Sequence, residues 1–330
     1  VAIFFTKKAE KLKKMAFTVQ TSSFGKHVVI VLKDEVTNTY AEVYSYGALL
    51  NNFTSEHHGH AINVIDGFNS PAEATEKLTP FFKSAKLSPF VCRVKNAKYT
   101  FGEGNYFLSK YSSHSNALHG LIYDAYFAVA ETFSDETKAM VKLEYLYDSG
   151  MQGYPFRYKT IVEYTLTEGN SLTVSTTIVN DDEKLMPVVD GWHPYFTLGD
   201  KIDEYQVEFQ SKEMLEFDAD LIPTGVLQPY QEFGSLKNFG PTLFDNCFTL
   251  NFAECQPMCV IRHPGKKVQI EFHPGNSYPY LQIYTPDHRK SIAVENLSGA
   301  PDAFNNGMGL KVLEPKEKAI FTTKFIIRSI

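Results

Sequence analysis

Ten histidines and 38 acidic residues are spread along the 330-residue chain, yet only a few interrupt apolar runs where a purely structural side chain would be aliphatic. His193 lies in GWHPYFTLG (191–199), between the single tryptophan, Trp192, and a Pro-Tyr pair. His119 lies in SNALHGL (115–121), next to a glycine that permits close backbone approach. Glu295 follows the apolar SIAV of SIAVENLSGAPDAF (291–304), where a carboxylate either caps a turn or handles a proton. Asp245 precedes the strand-like stretch of LFDNCFTLN (243–251), with an Asx-turn as the competing explanation. Arg93 interrupts LSPFVCRVKNAKYTF (87–101) and, if buried, needs a partner that a carboxylate or a ligand could supply. An acid, a base and several hydrogen-bonding groups in this pattern suit proton transfer on a polar substrate.

Other chemistries find little support. EHHGH (56–60) falls in a polar loop between strands and lacks the i, i+4 helical framing of a metalloprotease motif, so no metal ligand is assigned. His27, His114, His263, His273 and His288 flank turns or strand ends and read as structural. GYPFR (153–157) and the other glycine sites form neither G-x-G-x-x-G nor a P-loop, so no cofactor is expected. No Ser or Cys nucleophile signature is present. Cys92, Cys247, Cys255 and Cys259 match no zinc spacing and read as reduced, mostly structural thiols. A formal charge of −6 leaves no basic surplus for a phosphate backbone, which excludes nucleic acid as a partner. No apolar run approaches the roughly 18 residues of a membrane span. The order VAIFF then TKKAEKLKK is wrong for a secretory signal, so a cytoplasmic location is expected and residues 1–15 read as a leader or extension.

The elements that must position these groups are strands. Alternating or β-branched runs recur at HVVIVLKD (27–34), YAEVYSYGALL (40–50), AMVKLEYLYD (139–148), KTIVEYTL (159–166), SLTVSTTIVN (171–180), KKVQIEFHP (266–274) and AIFTTKFIIRSI (319–330). Turn signals such as TEGN (167–170) and NDDE (180–183) separate them at hairpin spacing. An all-β, large antiparallel β-sandwich with few short helices is expected, as one domain over 16–330. One helix is predicted over SPAEATEKLTPFFKSAK (70–86), capped by Ser70 with Pro71 at its first position, and Pro80 must break or end it.

From about Tyr40 onward a collinear set of motifs resembles the aldose 1-epimerase (galactose mutarotase) family: YGALLNNF (46–53), SPFVCRVKNAKYTF (88–101), NALHG (116–120), GYP (153–155), HPYFTL (193–198), IPTG (222–225), FDNCFTL (244–250), LQIYTP (281–286), IAVEN (292–296) and LEPKE (313–317). The resemblance implies a cofactor-free β-sandwich that binds a free monosaccharide and interconverts its α and β anomers. By motif position His193 resembles the general acid and Glu295 the general base. Arg93, His119, Asp245 and Gln282 resemble the groups that hold sugar hydroxyls, and Tyr195 helps line the site. The family usually has Asn where this chain has Cys92 and commonly Pro where it has Asn296; no second glycine follows His119-Gly120. A monomer or weak homodimer is expected. Three rivals stay open: a hexose-6-phosphate mutarotase, which needs extra cations; a glycoside hydrolase using Asp245 and Glu295; and a non-catalytic carbohydrate-binding protein of the same fold.

Overall fold

The computed structural model describes residues 16–110, 112–113, 115–148 and 153–330. Two large antiparallel sheets lie face to face. The first has nine strands in the order Ala128–Ser134, Lys138–Tyr147, Tyr158–Thr167, Ser171–Asn180, Lys318–Ser329, Val268–Pro274, Cys259–His263, Gln206–Phe209 and Lys237–Asn238. The second has eight: Pro223–Pro229, Ser211–Phe217, Asp245–Leu250, Tyr280–Tyr284, Ile292–Leu297, Gly191–His193 and Ala85–Leu87, with Tyr195–Phe196 also pairing on Ile292–Leu297. Between them, Phe196 of the second sheet meets Phe272 and Phe325 of the first at ring separations of 4.6 and 5.4 Å. The expected all-β, antiparallel sandwich is the fold observed.

Period-two sequence becomes period-two burial. In Tyr158–Thr167, buried and half-buried residues alternate along all ten positions, one face turned to the interior. A five-stranded sheet of consecutive hairpins, Phe17–Phe24, His27–Asp34, Tyr40–Tyr44, Leu50–His57 and His60–Asn63, leans on the nine-stranded sheet. The Tyr164 hydroxyl donates to Ala48 O at 2.7 Å, and Thr39 Oγ1 donates to Asn170 Oδ1 at 2.7 Å.

Three expectations are corrected. The run 40–50 is two strands, because the chain turns at Gly47 (φ 65°) and Ala48 (φ 49°). A Cβ on Gly47 would lie 2.4 Å from Tyr123 O, so glycine is required there. The helix predicted over 70–86 spans Pro71–Phe81, capped as expected by Ser70 Oγ accepting from Glu73 N at 3.2 Å. Thr79, restricted by the following proline, is extended (ψ 141°), and the segment ends at Phe82 in the left-handed region, so that Ala85–Leu87 is a strand. EHHGH is no open loop: His57 and His60 end and begin paired strands, His58 and Gly59 form the turn, and His57 Nδ1 lies 2.7 Å from Ser329 Oγ. The leader expected over residues 1–15 and His114 fall outside the described residues.

Candidate active site

The eight-stranded sheet brings five of the singled-out side chains to one face. Register sets Cys247 opposite Gln282 and Gln282 opposite Glu295, a row across three adjacent strands. Alternation places Asp245 and Tyr284 on that face too, while Phe248, Leu281, Ile283 and Val294 are buried on the other. Tyr195 pairs with Ala293 beside Glu295, and His193 is held by pairing with Ala85 and by Ser84 N donating to His193 O at 2.9 Å.

Arg93 and His119 arrive from a small sheet, Ser112–Ser113, Asn116–Leu118 and Arg93–Val94, in which Leu118 lies opposite Arg93. His119 is left-handed (φ 60°) and its N–H donates to Cys92 O at 2.8 Å. Gly120 (φ 81°) lets the chain close on Ser88, since a Cβ there would lie 2.4 Å from Ser88 O. The residue type that sequence reading tied to close approach is therefore needed for it.

All seven side chains line one cavity of about 310 Å³, together with Pro80, Phe81, Cys92, Leu118 and Tyr284. That is enough for a small polar molecule. His193 Nε2 stands 3.3 Å from Glu295 Oε1. The His193 ring stacks on Tyr195 at 5.0 Å and meets His119 edge-on at 4.9 Å, with Phe82 behind His119 at 4.6 Å. Gln282 Nε2 donates to Asp245 Oδ1 at 2.9 Å, which turns the other amide atom, Oε1, free. His119 Nδ1, His193 Nδ1, Gln282 Oε1 and Glu295 Oε2 are all buried without a hydrogen-bond partner. Buried polar atoms are rarely left so, and these four belong to residues that line one cavity.

Electrostatics follow from depth. Glu295 and His193 are 2% and 5% exposed. Burial pushes the Glu295 carboxyl well above the usual range, Asp245 adds to the rise, and Arg93 opposes it. Burial draws His193 down to about 4, and His119 well down with help from His193 and Arg93. Burial also raises Asp245, against Arg93 and Gln282. Both members of the 3.3 Å pair thus resist charge. The guanidinium of half-buried Arg93 has no hydrogen-bond or ion-pair partner among the described residues, and among them Arg93 is the only lysine or arginine on the cavity wall. Of the two partners foreseen for it, no carboxylate among the described residues forms an ion pair with it.

A model of the family described as aldose 1-epimerase matches residues 28–325. The chain belongs to the aldose 1-epimerase family. Among its relatives, the galactose mutarotase of Sus scrofa is 27% identical over 74% of this chain and 73% of its own. The maltose epimerase of Levilactobacillus brevis is 25% identical over 76% of this chain and 77% of its own. Among solved structures, a galactose mutarotase-like protein from Clostridium acetobutylicum superposes with a TM-score of 0.84 at 16% identity, covering 96% of this chain and 99% of that one. Galactose 1-epimerase from Lactobacillus acidophilus does so with a TM-score of 0.81 at 20% identity, covering 96% and 99%. At these identities the structures speak for the fold.

Measured against the aldose 1-epimerase pattern, the departures at Cys92 and Asn296 differ in reach. Asn296 points away from the cavity into the sandwich interior, where its Oδ1 accepts from Thr323 Oγ1 at 2.8 Å. Cys92 does line the cavity, but its carbonyl carries the structural duty of holding His119 N, and burial pushes its thiol well up. The wall there is a weak donor where an Asn would offer an amide. Trp192 is absent from the cavity lining and packs in the core, 6.0 Å from the Tyr164 ring, with Lys86 Nζ 4.5 Å from its own ring. Sequence reasoning missed Tyr284 and Phe81. Tyr284, two residues beyond Gln282 on one strand, was accessible by alternation, whereas Phe81 reaches the cavity only through the kink at Thr79. Among the described residues, the one His/acid group spaced to hold a cation is Asp200, Glu204 and His263, away from the cavity; Lys266 Nζ already sits 2.9 Å from Asp200. No helix of the described residues is long and apolar enough to cross a membrane.

Proposed function

We propose that the protein interconverts the α and β anomers of a free aldose by general acid–base opening and closure of the sugar ring. The observation that carries this reading is the buried Glu295–His193 pair, 3.3 Å apart, in a cavity where His119 Nδ1 and Gln282 Oε1 also lack hydrogen-bond partners. Glu295 takes the proton of the anomeric hydroxyl as the bond between C1 and the ring oxygen breaks, and His193 gives its proton to that oxygen. The ring oxygen then adds to the opposite face of the C1 aldehyde, and both transfers reverse. Nothing is consumed. Ring opening converts carboxylate and imidazolium into two neutral groups, the form that burial favours, so the environment assists the step that breaks the bond. Each positioned group contributes about 10² to 10⁴ in rate.

Arg93, His119, Asp245 and Gln282 hold the hydroxyls, and Tyr195 stacks against the His193 ring to keep it aimed. Relatives named for galactose and for maltose support a reducing sugar as substrate. With Arg93 the only lysine or arginine among the described residues of the cavity wall, a neutral sugar fits better than a phosphorylated one. Polarimetry on freshly dissolved α-glucose and α-galactose tests the reading, with Glu295→Gln and His193→Asn as controls. Relaxation at the buffer rate by the wild type while sugar still binds would replace it with the carbohydrate-binding alternative.

A further inference from the structure

We infer that the cleft between the turns of EHHGH (56–60) and HPGKK (263–267) binds a phosphate monoester, at a site separate from the Glu295–His193 cavity.

The two stretches belong to different sheets. The first closes the hairpin of Leu50–His57 and His60–Asn63 in the five-stranded sheet, and the second closes the hairpin of Cys259–His263 and Val268–Pro274 in the nine-stranded sheet. Between them lies a cavity of about 640 Å³, walled by His57, His58, His60, Lys266 and Lys267. It shares no described residue with the Glu295–His193 cavity. Every ionisable side chain on this wall carries or can carry positive charge, and no carboxylate side chain is among the described lining residues. Asp200 Oδ2, 2.9 Å from Lys266 Nζ, balances one lysine from outside the lining. Lys267 has no ion-pair partner among the described residues.

His57 shows what the cleft lacks. It is 4% exposed, its Nδ1 lies 2.7 Å from Ser329 Oγ, and its Nε2 is buried without a hydrogen-bond partner. Burial, with neighbouring His58, draws His57 below the ordinary histidine range, so its ring is neutral at pH 7. With Ser329 donating to Nδ1, the one ring hydrogen sits on Nε2, a buried donor without an acceptor. A phosphate oxygen supplies the acceptor, and Lys267 supplies the countercharge. A metal ion fits poorly, because the three histidines do not bring their ring nitrogens together and both lysines would repel it. Ala61 and Ile62 give the wall an apolar strip, and the cleft is larger than a bare phosphate fills, so the ligand is an ester with an organic body.

Calorimetric titration of the full chain with phenyl phosphate, inorganic phosphate and phenol tests this; none of the three has an anomeric carbon. Phenyl phosphate is expected to bind saturably and more tightly than either inorganic phosphate or phenol. Lys267→Met should weaken it by about 3- to 10-fold and His57→Phe by about 10-fold, while Arg93→Gln leaves it unchanged. Lys267, on an exposed turn, keeps the test decisive if His57→Phe fails to fold. Three results would each overturn the inference: no saturable binding of phenyl phosphate, binding undiminished in Lys267→Met, or binding abolished by Arg93→Gln, which would put the ligand in the other cavity. All three leave the acid–base reading of Glu295 and His193 untouched.

Discussion

Replacing Glu295 by glutamine separates catalysis from stability in a way that few substitutions do. The amide keeps the shape of the carboxyl and can still bond His193 Nε2 across the 3.3 Å gap, but it cannot accept a proton from an anomeric hydroxyl. Loss of a general base predicts a fall of about 10² to 10⁴ in kcat/KM, or roughly 2.7 to 5.4 kcal/mol at the barrier. Stability moves the other way. A carboxyl whose folded pKa is raised leaves the folded state holding more protons than the unfolded one as pH climbs past the ordinary value, so the readier ionisation of Glu295 in the unfolded chain works against folding there. A neutral amide removes that cost, and the thermal midpoint should stay put or rise by a few degrees, roughly 2 °C per kcal/mol in a chain of this size. Polarimetry and differential scanning calorimetry on the same preparation read both quantities. Activity within about threefold of wild type would refute Glu295 as the base, and a midpoint several degrees lower would show that the carboxylate is structural.

The pH profile of kcat/KM should be bell-shaped, because the pair is competent only with one proton between its members. Below the range of His193, drawn down to about 4, both groups are protonated and no base remains; above the raised range of Glu295 both are bare and no acid remains, so the acid limb should fall near 4 and not near 6.5. Arg93→Gln should weaken sugar affinity by about 10- to 100-fold through the loss of charged hydrogen bonds, measured by calorimetric titration, with the unfolding midpoint little changed because the guanidinium has no protein partner among the described residues. Lys86→Met should do the reverse: Lys86 is wholly buried, its amine 2.6 Å from Asp190 and 2.9 Å from Gly191 O, and removing it strands a buried carboxylate at a cost of about 3–5 kcal/mol in urea unfolding. Lys86→Met/Asp190→Asn should recover part of that loss.

Strands were legible because half-buried sheet writes its period into the chain. His27–Asp34 and Ser171–Asn180 have the bounds that alternation marks. The kinked end of the helix was not, because a proline near a helix end is compatible with several endings and only the packing of Phe82 on His119 and Tyr123 selects this one. His193, His119, Glu295, Asp245 and Arg93 were legible as chemical anomalies, an ionisable group where an aliphatic belongs, whereas Gln282 and Tyr195 were legible only through the family resemblance. Their convergence was not, since it is decided by register: a one-residue slip of Ile292–Leu297 against Tyr280–Tyr284 would send Glu295 into the interior and Asn296 into the cavity. Arg93 illustrates the same limit. Sequence shows that a buried Arg93 needs a partner, and only the fold shows that no side chain among the described residues supplies one.

The bond from Thr323 to Asn296 has a consequence for how the protein is made. Thr323 belongs to Lys318–Ser329, the last strand described, which lies between Ser171–Asn180 and Val268–Pro274 in the interior of its sheet. Until that strand is inserted, the nine-stranded sheet is two separate fragments with open edges, and the residue adjoining Glu295 lacks its anchor on the opposite layer. Every residue of the cavity wall precedes that strand in the sequence, so during synthesis the wall emerges before the scaffold behind it can close. A nascent chain arrested before Lys318 carries those residues without the strand that joins the two halves of the nine-stranded sheet.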